Sequence, residues 1–398
     1  MPDSWYTFLS TVCVRAYFTR IQLIGRERLP KAGPILYVGL HRNGAVDGFV
    51  YKSIFRRAVF LIAAQLQKNL FSRMFFTGIP VVRDKDTGDR EINAAAMERC
   101  RRLLADGGEL FIFPEGTSSL GPQHLPFKSG AARIAAEAWQ QSIPLKVVPI
   151  GITYDAPSTF RSSVEVIVGE AIGAECLGSL EGQDQVAQAR KVVTRALEDV
   201  GVNVDSVDYF AELRLIARMA LPGRHYFHAM KLCEKGIPAE LHRSWKSLRT
   251  AIEGSTLKRT EAANLFSSTS PWTSLVAGIL LAPFVAAAAA VNFLPFAAAY
   301  WAGKKFPDAP NVITLWRILV GAPVFFLWFV LTLSALAAVG REAWFLLFFP
   351  LTIVGWLVYQ PVRQSFVAAW NGLRFPELRG KYLEFQRLLV EALRKHGF

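Results

Sequence analysis

The sequence predicts an α/β fold, a mixed or parallel sheet flanked by helices, followed by a C-terminal helical membrane region. Three observations carry that reading. Short apolar runs alternate with helical stretches over residues 30–175, the pattern of strands feeding helices packed on a sheet. Charged residues are only 19% of the 398 residues and hydrophobic residues 52%, a more apolar balance than a soluble enzyme of this length normally carries. The apolar excess is concentrated after residue 270, in long runs without charge.

Taken in chain order, residues 1–29 read as an N-terminal helix. Trp5, Phe8, Leu9, Val12 and Ala16 share one helical face. Arg15 and Arg20 interrupt any signal-peptide core, and no small-residue cleavage site follows. Such a helix either lies in a bilayer interface or packs on the domain; the periodicity serves both. Residues 30–205 form the α/β domain. Its strands are expected at 34–40, 58–64, 79–82, 109–113, 147–153 and, nearer an edge, 163–168, with helices over 90–104 and 130–141. Residues 206–270 read as a mostly soluble helical segment broken at Pro222-Gly223 and at Gly236-Ile237-Pro238.

Residues 271–362 form the membrane region. Leu275–Trp301 and Ile318–Val339 are uncharged and pass the length test of about 20 residues for a spanning helix. Ala343–Tyr359 is shorter and holds Pro350. Pro283, Asn292 and Pro295 predict that the first run is kinked or doubles back as a re-entrant hairpin. Basic residues flank that run on both sides (Lys258, Arg259, Lys304, Lys305), so charge alone does not fix its path. Residues 363–398 read as an amphipathic C-terminal helix.

The chain carries a formal charge of +13, which leaves nucleic acid, anionic membrane or a phosphorylated substrate as partners. Nucleic acid is excluded because no basic-aromatic motif accompanies the charge and long apolar runs do. Disorder is excluded by the richness in large apolar residues. The four cysteines lie far apart, so a disulfide scaffold is excluded as well. No GxSxG elbow, HExxH pair, GxxxxGK[ST] loop or GxGxxG is present. Covalent catalysis, zinc hydrolysis and nucleotide hydrolysis therefore lack a signature, and neither a metal nor a bound cofactor is expected.

What remains is a set of polar residues at strand ends. His41 and Asp47 lie in GLHRNGAVDG; a histidine is a natural general base near neutral pH, and a carboxylate can fix its tautomer. Standing alone, a histidine at a strand end is more often structural. Arg83, in GIPVVRD, can grip a phosphate, or can pair with Asp84 or Asp86. Glu115, Gly116 and Thr117 lie in FPEGTSS, a polar loop after an apolar strand. Lys128 adds a cation just before a helix, whose N-terminus favours an anion. Functional residues of such sheets gather at the carboxyl ends of strands, so His41, Arg83 and Glu115 should share one rim.

The order His-x5-Asp, GIPVVR, FPEGT, LPFKSGAARIA and Val148-Pro149-Ile150-Gly151 resembles the glycerol-3-phosphate and 1-acyl-glycerol-3-phosphate (lysophosphatidate) acyltransferase family over about residues 30–175. The resemblance implies a membrane-bound O-acyltransferase that moves a fatty acyl group from acyl-CoA or acyl-carrier protein to a hydroxyl of glycerol-3-phosphate or 1-acyl-glycerol-3-phosphate. It implies His41 as general base and Asp47 as its orienting partner. Arg83 and the Glu115–Gly116–Thr117 loop would bind the phosphorylated acceptor, with Lys128 assisting. Pro149 would belong to a block that shapes the substrate site. The partners implied are membrane lipids, the acyl donor and the phosphorylated glycerol acceptor, and the expected location is a membrane, a bacterial inner one, with the active domain facing the cytoplasm.

Two departures from the family pattern matter. Five residues separate His41 from Asp47 where four are usual, as in the fungal-type glycerol-3-phosphate acyltransferases, and Ser118 stands where the family carries an arginine. A bulge or looser turn must absorb the extra residue, and the missing cation puts more weight on Arg83 and Lys128. Acylation of another lysolipid, such as a lyso-ornithine lipid, and a non-catalytic lipid-binding role are the alternatives.

Overall fold

A computed structural model describes residues 3–67, 70–82, 91–178, 180, 182–220 and 225–398. The chain divides into two compact units. The first comprises Met1–Arg15, Ile21–Thr153 and Glu165–Asp205; the second comprises Ala16–Arg20, Tyr154–Val164 and Ser206–Phe398.

The first unit is built on a seven-stranded sheet. In chain order its elements are helix α1 (Asp3–Tyr17), strand β1 (Arg20–Ile24), β2 (Ile35–Gly39), α2 (Ala45–Ile54), β3 (Val59–Ala63), α3 (Leu70–Phe75), β4 (Ile79–Val81), α4 (Glu91–Ala105), β5 (Glu109–Ile112), α5 (Gly130–Gln140), β6 (Lys146–Tyr154), β7 (Ser163–Val168) and α6 (Gln183–Val200). The sheet order is β1-β7-β6-β2-β5-β3-β4. Strand β2 runs parallel to both β5 and β6, and β3 parallel to β5 and β4. Strands β6 and β7 form a hairpin, tied by Asp155 N to Ser163 O and Gly169 N to Pro149 O; the sheet is therefore mixed.

Strand β2 is buried along its whole length (Ile35, Leu36, Tyr37, Val38, Gly39), as the continuous apolar run of a central strand requires. Gly39 is needed there because any Cβ would run into the Phe111 ring of β5. Phe111 also stacks on Phe60 of β3 with centroids 4.7 Å apart. The aromatic layer thus fixes β2, β5 and β3 side by side, and their carboxyl ends make one rim. Lys52, only 1% exposed, donates to the carbonyls of Arg56 and Ala58 and so satisfies the exit of α2.

Two expectations need correction. Residues 1–29 are not one helix: α1 stops at Tyr17, and Arg20–Ile24 is the edge strand β1. Its RIQLI pattern is half-buried throughout, as an edge strand allows, and it places β7 one strand in from the edge. In α1 the face carrying Trp5, Phe8 and Val12 is exposed, while Tyr6, Cys13 and Val14 are buried, with Tyr6 against Phe49. The other correction is at residue 362, where no boundary exists. One helix runs through Phe345–Arg374, and the break falls at Phe375, ahead of Pro376.

The second unit is helical: α7 (Val207–Met219), α8 (Tyr226–Leu232), α9 (Ala239–Glu253), α10 (Pro271–Val291), α11 (Phe293–Lys305), α12 (Ile313–Ala338), α13 (Phe345–Arg374) and α14 (Pro376–Lys395). Among the described residues three stretches are long and apolar enough to cross a membrane: Pro271–Val291, Pro310–Ala338 and Glu342–Arg374, with mean hydropathies of 2.3, 2.2 and 1.7. Gly236–Pro238 separates α8 from α9 as expected, and Pro222-Gly223 lies outside the described residues.

Candidate active site

The site is assembled on the rim formed by β2 and β5. After β2 the chain continues with Leu40, whose N–H donates to Ile150 O of β6, and delivers His41 beyond the sheet edge. The next residues turn sharply into α2, which begins at Ala45. Gly44 makes that turn with φ 56° and ψ −152°, a conformation an L side chain rarely adopts. The additional residue between His41 and Asp47 is absorbed here, by a glycine turn ahead of the helix, and Asp47 lands in the first turn of α2.

The side chains meet as a dyad. His41 Nδ1 lies 2.9 Å from Asp47 Oδ2. The carboxylate is fully buried and also accepts the backbone N–H groups of Arg42 (2.6 Å) and Asn43 (2.8 Å). These partners satisfy the buried carboxylate's oxygen within one turn of chain. With Nδ1–H held by Asp47, the lone pair of Nε2 is left for chemistry. The imidazole packs on the Phe113 ring at 4.3 Å, near-parallel, which fixes its plane.

Glu115 is brought to the same place from β5 and is turned inward. It is 3% exposed, and its Oε2 accepts the N–H of His41 at 3.3 Å. Burial pushes its carboxyl up to about 7, against the opposing pull of Arg42 and of the His41 N–H. Ser119 N donates to His41 O, so the loop after β5 grips both sides of the His41 backbone. Gly116 has φ 67°. A Cβ there would stand 3.1 Å from Lys128 Nζ and Cε, so the bare glycine makes room for the ammonium. Lys128 N in turn bonds Pro114 O at 2.9 Å, and α5 begins two residues later, at Gly130. Thr117 and Ser118 are half-buried on the same loop.

The rim therefore brings together His41, Asp47, Glu115, Gly116 and Lys128. Pro149 is not at its surface: it is buried inside β6, in register with Val38 of β2, and bears on the site by holding the strand beside β2. Arg83 lies outside the described residues. Two residues escaped sequence reasoning. Arg42, 9% exposed, donates through its guanidinium to Gly121 O and ties the loop after β5 to the loop after β2; its position next to His41 was the available signal. His124, with Nδ1 3.9 Å from Glu115 Oε1, carried no motif signal, because its placement depends on the chain after α6, where Asn203 Oδ1 accepts the His124 N–H. Arg101 pairs with Glu98 and Glu137, and Arg102 with Glu98. Among the described residues no cluster of His, Cys, Asp and Glu has the arrangement of a metal site.

The arrangement puts an imidazole, paired through Nδ1 with a buried carboxylate, on the same rim as the Lys128 ammonium beside Gly116. The family model "Acyltransferase" matches residues 20–153. A 1-acyl-sn-glycerol-3-phosphate acyltransferase of Chlamydomonas reinhardtii is 31% identical over 141 residues, covering 34% of this chain and 41% of that protein. A chloroplastic 1-acyl-sn-glycerol-3-phosphate acyltransferase of Brassica napus is 28% identical over 142 residues, covering 34% of this chain and 39% of its own length. The similarity thus spans about two fifths of these relatives. The crystal structure of the 1-acyl-sn-glycerophosphate acyltransferase PlsC from Thermotoga maritima superposes with a TM-score of 0.36 at 20% identity, over 49% of this chain and 78% of that one. Residues 20–153 of this chain form a domain of the acyltransferase family.

Proposed function

We propose that the protein transfers a fatty acyl group from a thioester donor, acyl-CoA or acyl-carrier protein, to the free hydroxyl of 1-acyl-glycerol-3-phosphate. The observation that carries the reading is the buried dyad: Asp47 Oδ2 2.9 Å from His41 Nδ1, leaving Nε2 as the base. The names of the similar proteins support the acceptor.

In this reading Nε2 takes the hydroxyl proton as the oxygen attacks the thioester carbonyl. The tetrahedral intermediate then collapses, the C–S bond breaks, and the imidazolium returns the proton to the leaving thiolate. No acyl-enzyme is needed, because the thiolate leaves readily; positioning and base catalysis are the main demands. In this reading Lys128, beside Gly116, binds the acceptor phosphate, and Arg83 is carried over from the GIPVVR pattern as a second cation. Glu115 and Arg42 are positioning residues that hold the backbone on which His41 rides. The apolar helices α10, α12 and α13 associate the chain with a membrane, where its acyl product partitions; a bacterial inner membrane with the domain facing the cytoplasm is the setting we infer.

A second acceptor, glycerol-3-phosphate, is favoured by the five-residue spacing and by Ser118 in place of arginine. The test is a detergent-purified assay with labelled acyl-CoA on both acceptors, with wild type and His41→Ala. Loss of His41 should lower turnover on one acceptor by about 10³-fold. Equal product from the two proteins on both acceptors would sink the reading.

A further inference from the structure

The second unit holds three stretches apolar enough to span a membrane, yet its fold does not allow three crossings. The chain just before α10 is bonded to the chain just after the apolar part of α13. Asn371 Nδ2 donates to Lys258 O (3.0 Å) and Leu265 O (2.9 Å), and its Oδ1 accepts Lys258 N (2.9 Å). Arg379 of α14 donates to the carbonyls of Ser267, Ser268 and Thr269, and Phe385 of α14 packs on Trp245 of α9. Both ends of the apolar region are therefore on one side, and a chain that enters and leaves on one side crosses an even number of times.

The pairing of the helices says which segment fails to cross. Helix α10 runs antiparallel to α13: Gly278 lies against Phe366, and Gly355 has no room for a Cβ because of Ala288. At the end of α10 the chain breaks at Asn292, the C-cap of α10 and N-cap of α11. Helix α11 then returns, antiparallel to α12: Trp328 Nε1 donates to Val291 O, Phe296 meets Phe325 edge-on at 5.5 Å, a Cβ at Gly321 would be 3.0 Å from Ala299, and Gly303 lies under Arg317. Helix α11 has 13 residues, about 20 Å at 1.5 Å per residue, too short for a hydrocarbon core of about 30 Å. Its tip is level with Thr352, which accepts from Asn292 Nδ2 at 2.9 Å. Beyond that level α13 continues for seven more residues, back to Phe345, and α12 for ten beyond Trp328, to Ala338. The tip thus stops roughly 10–15 Å short of the far ends of α12 and α13.

We infer that α10 and α11 form a re-entrant helical hairpin that enters and leaves the same face of a lipid bilayer, and that only α12 and α13 cross it. The occupant of the hairpin's exposed apolar surface, including Leu280, Phe293 and Leu294, is the acyl-chain region of that leaflet. Charge agrees. Lys258, Arg259, Lys304, Lys305, Arg374, Arg379 and Lys381 all fall on the entry side, and the far turn holds only Arg341 and Glu342, the asymmetry of a chain whose entry side is cytoplasmic. The uncharged tip is closed by Asn292, whose amide bonds Ala288 O and Thr352 Oγ1, so no polar group of that side chain's donor end faces lipid.

The experiment is cysteine accessibility on the full chain in sealed membrane vesicles, with a membrane-impermeant maleimide and peptide mass mapping of each site. Four exposed positions are read: Glu253→Cys on α9 as the reference side, Asp308→Cys between α11 and α12, Phe293→Cys at the tip and Arg341→Cys between α12 and α13. The expected result is Asp308→Cys labelled from the side of Glu253→Cys, Arg341→Cys from the opposite side, and Phe293→Cys from neither. Labelling of Phe293→Cys from the Arg341 side would mean that the hairpin crosses. Labelling of Arg341→Cys from the Glu253 side would mean that nothing crosses, and either result overturns the inference. Glu342→Cys repeats the far-side reading should Arg341→Cys fail to accumulate.

Discussion

Asp47 and Asn292 are both completely buried polar residues at the start of a helix, and the two regions satisfy them differently. Asp47 draws its partners from its own stretch of chain: His41, Arg42 and Asn43 all lie within six residues. Asn292 needs Thr352, sixty residues away. The first arrangement builds a preorganised dyad from one turn. The second closes a hairpin tip, and its donors and acceptor are neutral. The lesson is that a site's chemistry can be encoded locally while a path through lipid is encoded by long-range pairing.

The largest effect that would break this comparison is on Asp47. Asp47→Asn keeps the shape but removes the charge that steadies an imidazolium, so kcat should fall on the order of 10³-fold with little change in KM. The readout is steady-state kinetics on the purified protein. A variant with near-normal kcat would show that the carboxylate only caps the turn, as Asn292 does, and that the two residues are alike after all.

Glu115 sharpens the same contrast through pH. Its carboxyl is held up at about 7, chiefly by burial, above the ordinary value of 4.5. The folded state therefore keeps its proton across the window from about 4.5 to 7 in which the unfolded chain loses it. Stability from this group is full below 4.5 and is lost as pH rises through 7. Between pH 4.5 and 8 the loss is of order 3 kcal/mol. Glu115→Gln retains an acceptor for the His41 N–H and cannot ionise, so its thermal midpoint should overtake that of wild type as pH rises from 5 to 8. Parallel curves for the two proteins would remove the buried-acid reading.

The same distinction decides what could be read from sequence. The positions of His41 and Glu115 just after strands and of Lys128 just before a helix were legible, and parallel neighbours β2 and β5 align their ends; Asp47, inside the first turn of α2, was legible only through its spacing from His41. The turn that absorbs the extra residue was legible only as a need; Gly44 meets it through a backbone conformation that composition does not announce. His124 was invisible, since Asn203 brings it to Glu115 from beyond α6. Strand β1 was hidden by its apolar half-pattern running on from α1. In the apolar region, periodicity gave the lengths of the runs and Asn292 marked a break. The even count of crossings depends on Asn371 meeting Lys258, 113 residues apart, and no local pattern carries that.

The smallest effect tests the other half of the comparison. Asn292→Leu removes two hydrogen bonds from a buried tip, yet little is stranded. Ala288 O still accepts the backbone N–H of residue 292 (3.1 Å), and Thr352 Oγ1 still donates to Phe348 O (2.9 Å). Thr352→Val removes the same link from the other side. Each single change should therefore cost about 1 kcal/mol, and the double-mutant cycle should give a coupling of about 0.6–1 kcal/mol, the range of side-chain hydrogen bonds between membrane helices. The measurement is reversible unfolding in mixed detergent micelles. A coupling near zero would mean that the α10–α11 turn is held by the packing of Val291, Trp328 and Ala288 alone. Turnover of acyl donor should be unchanged in all three variants, because nothing in the dyad's own turn depends on residues 292 or 352.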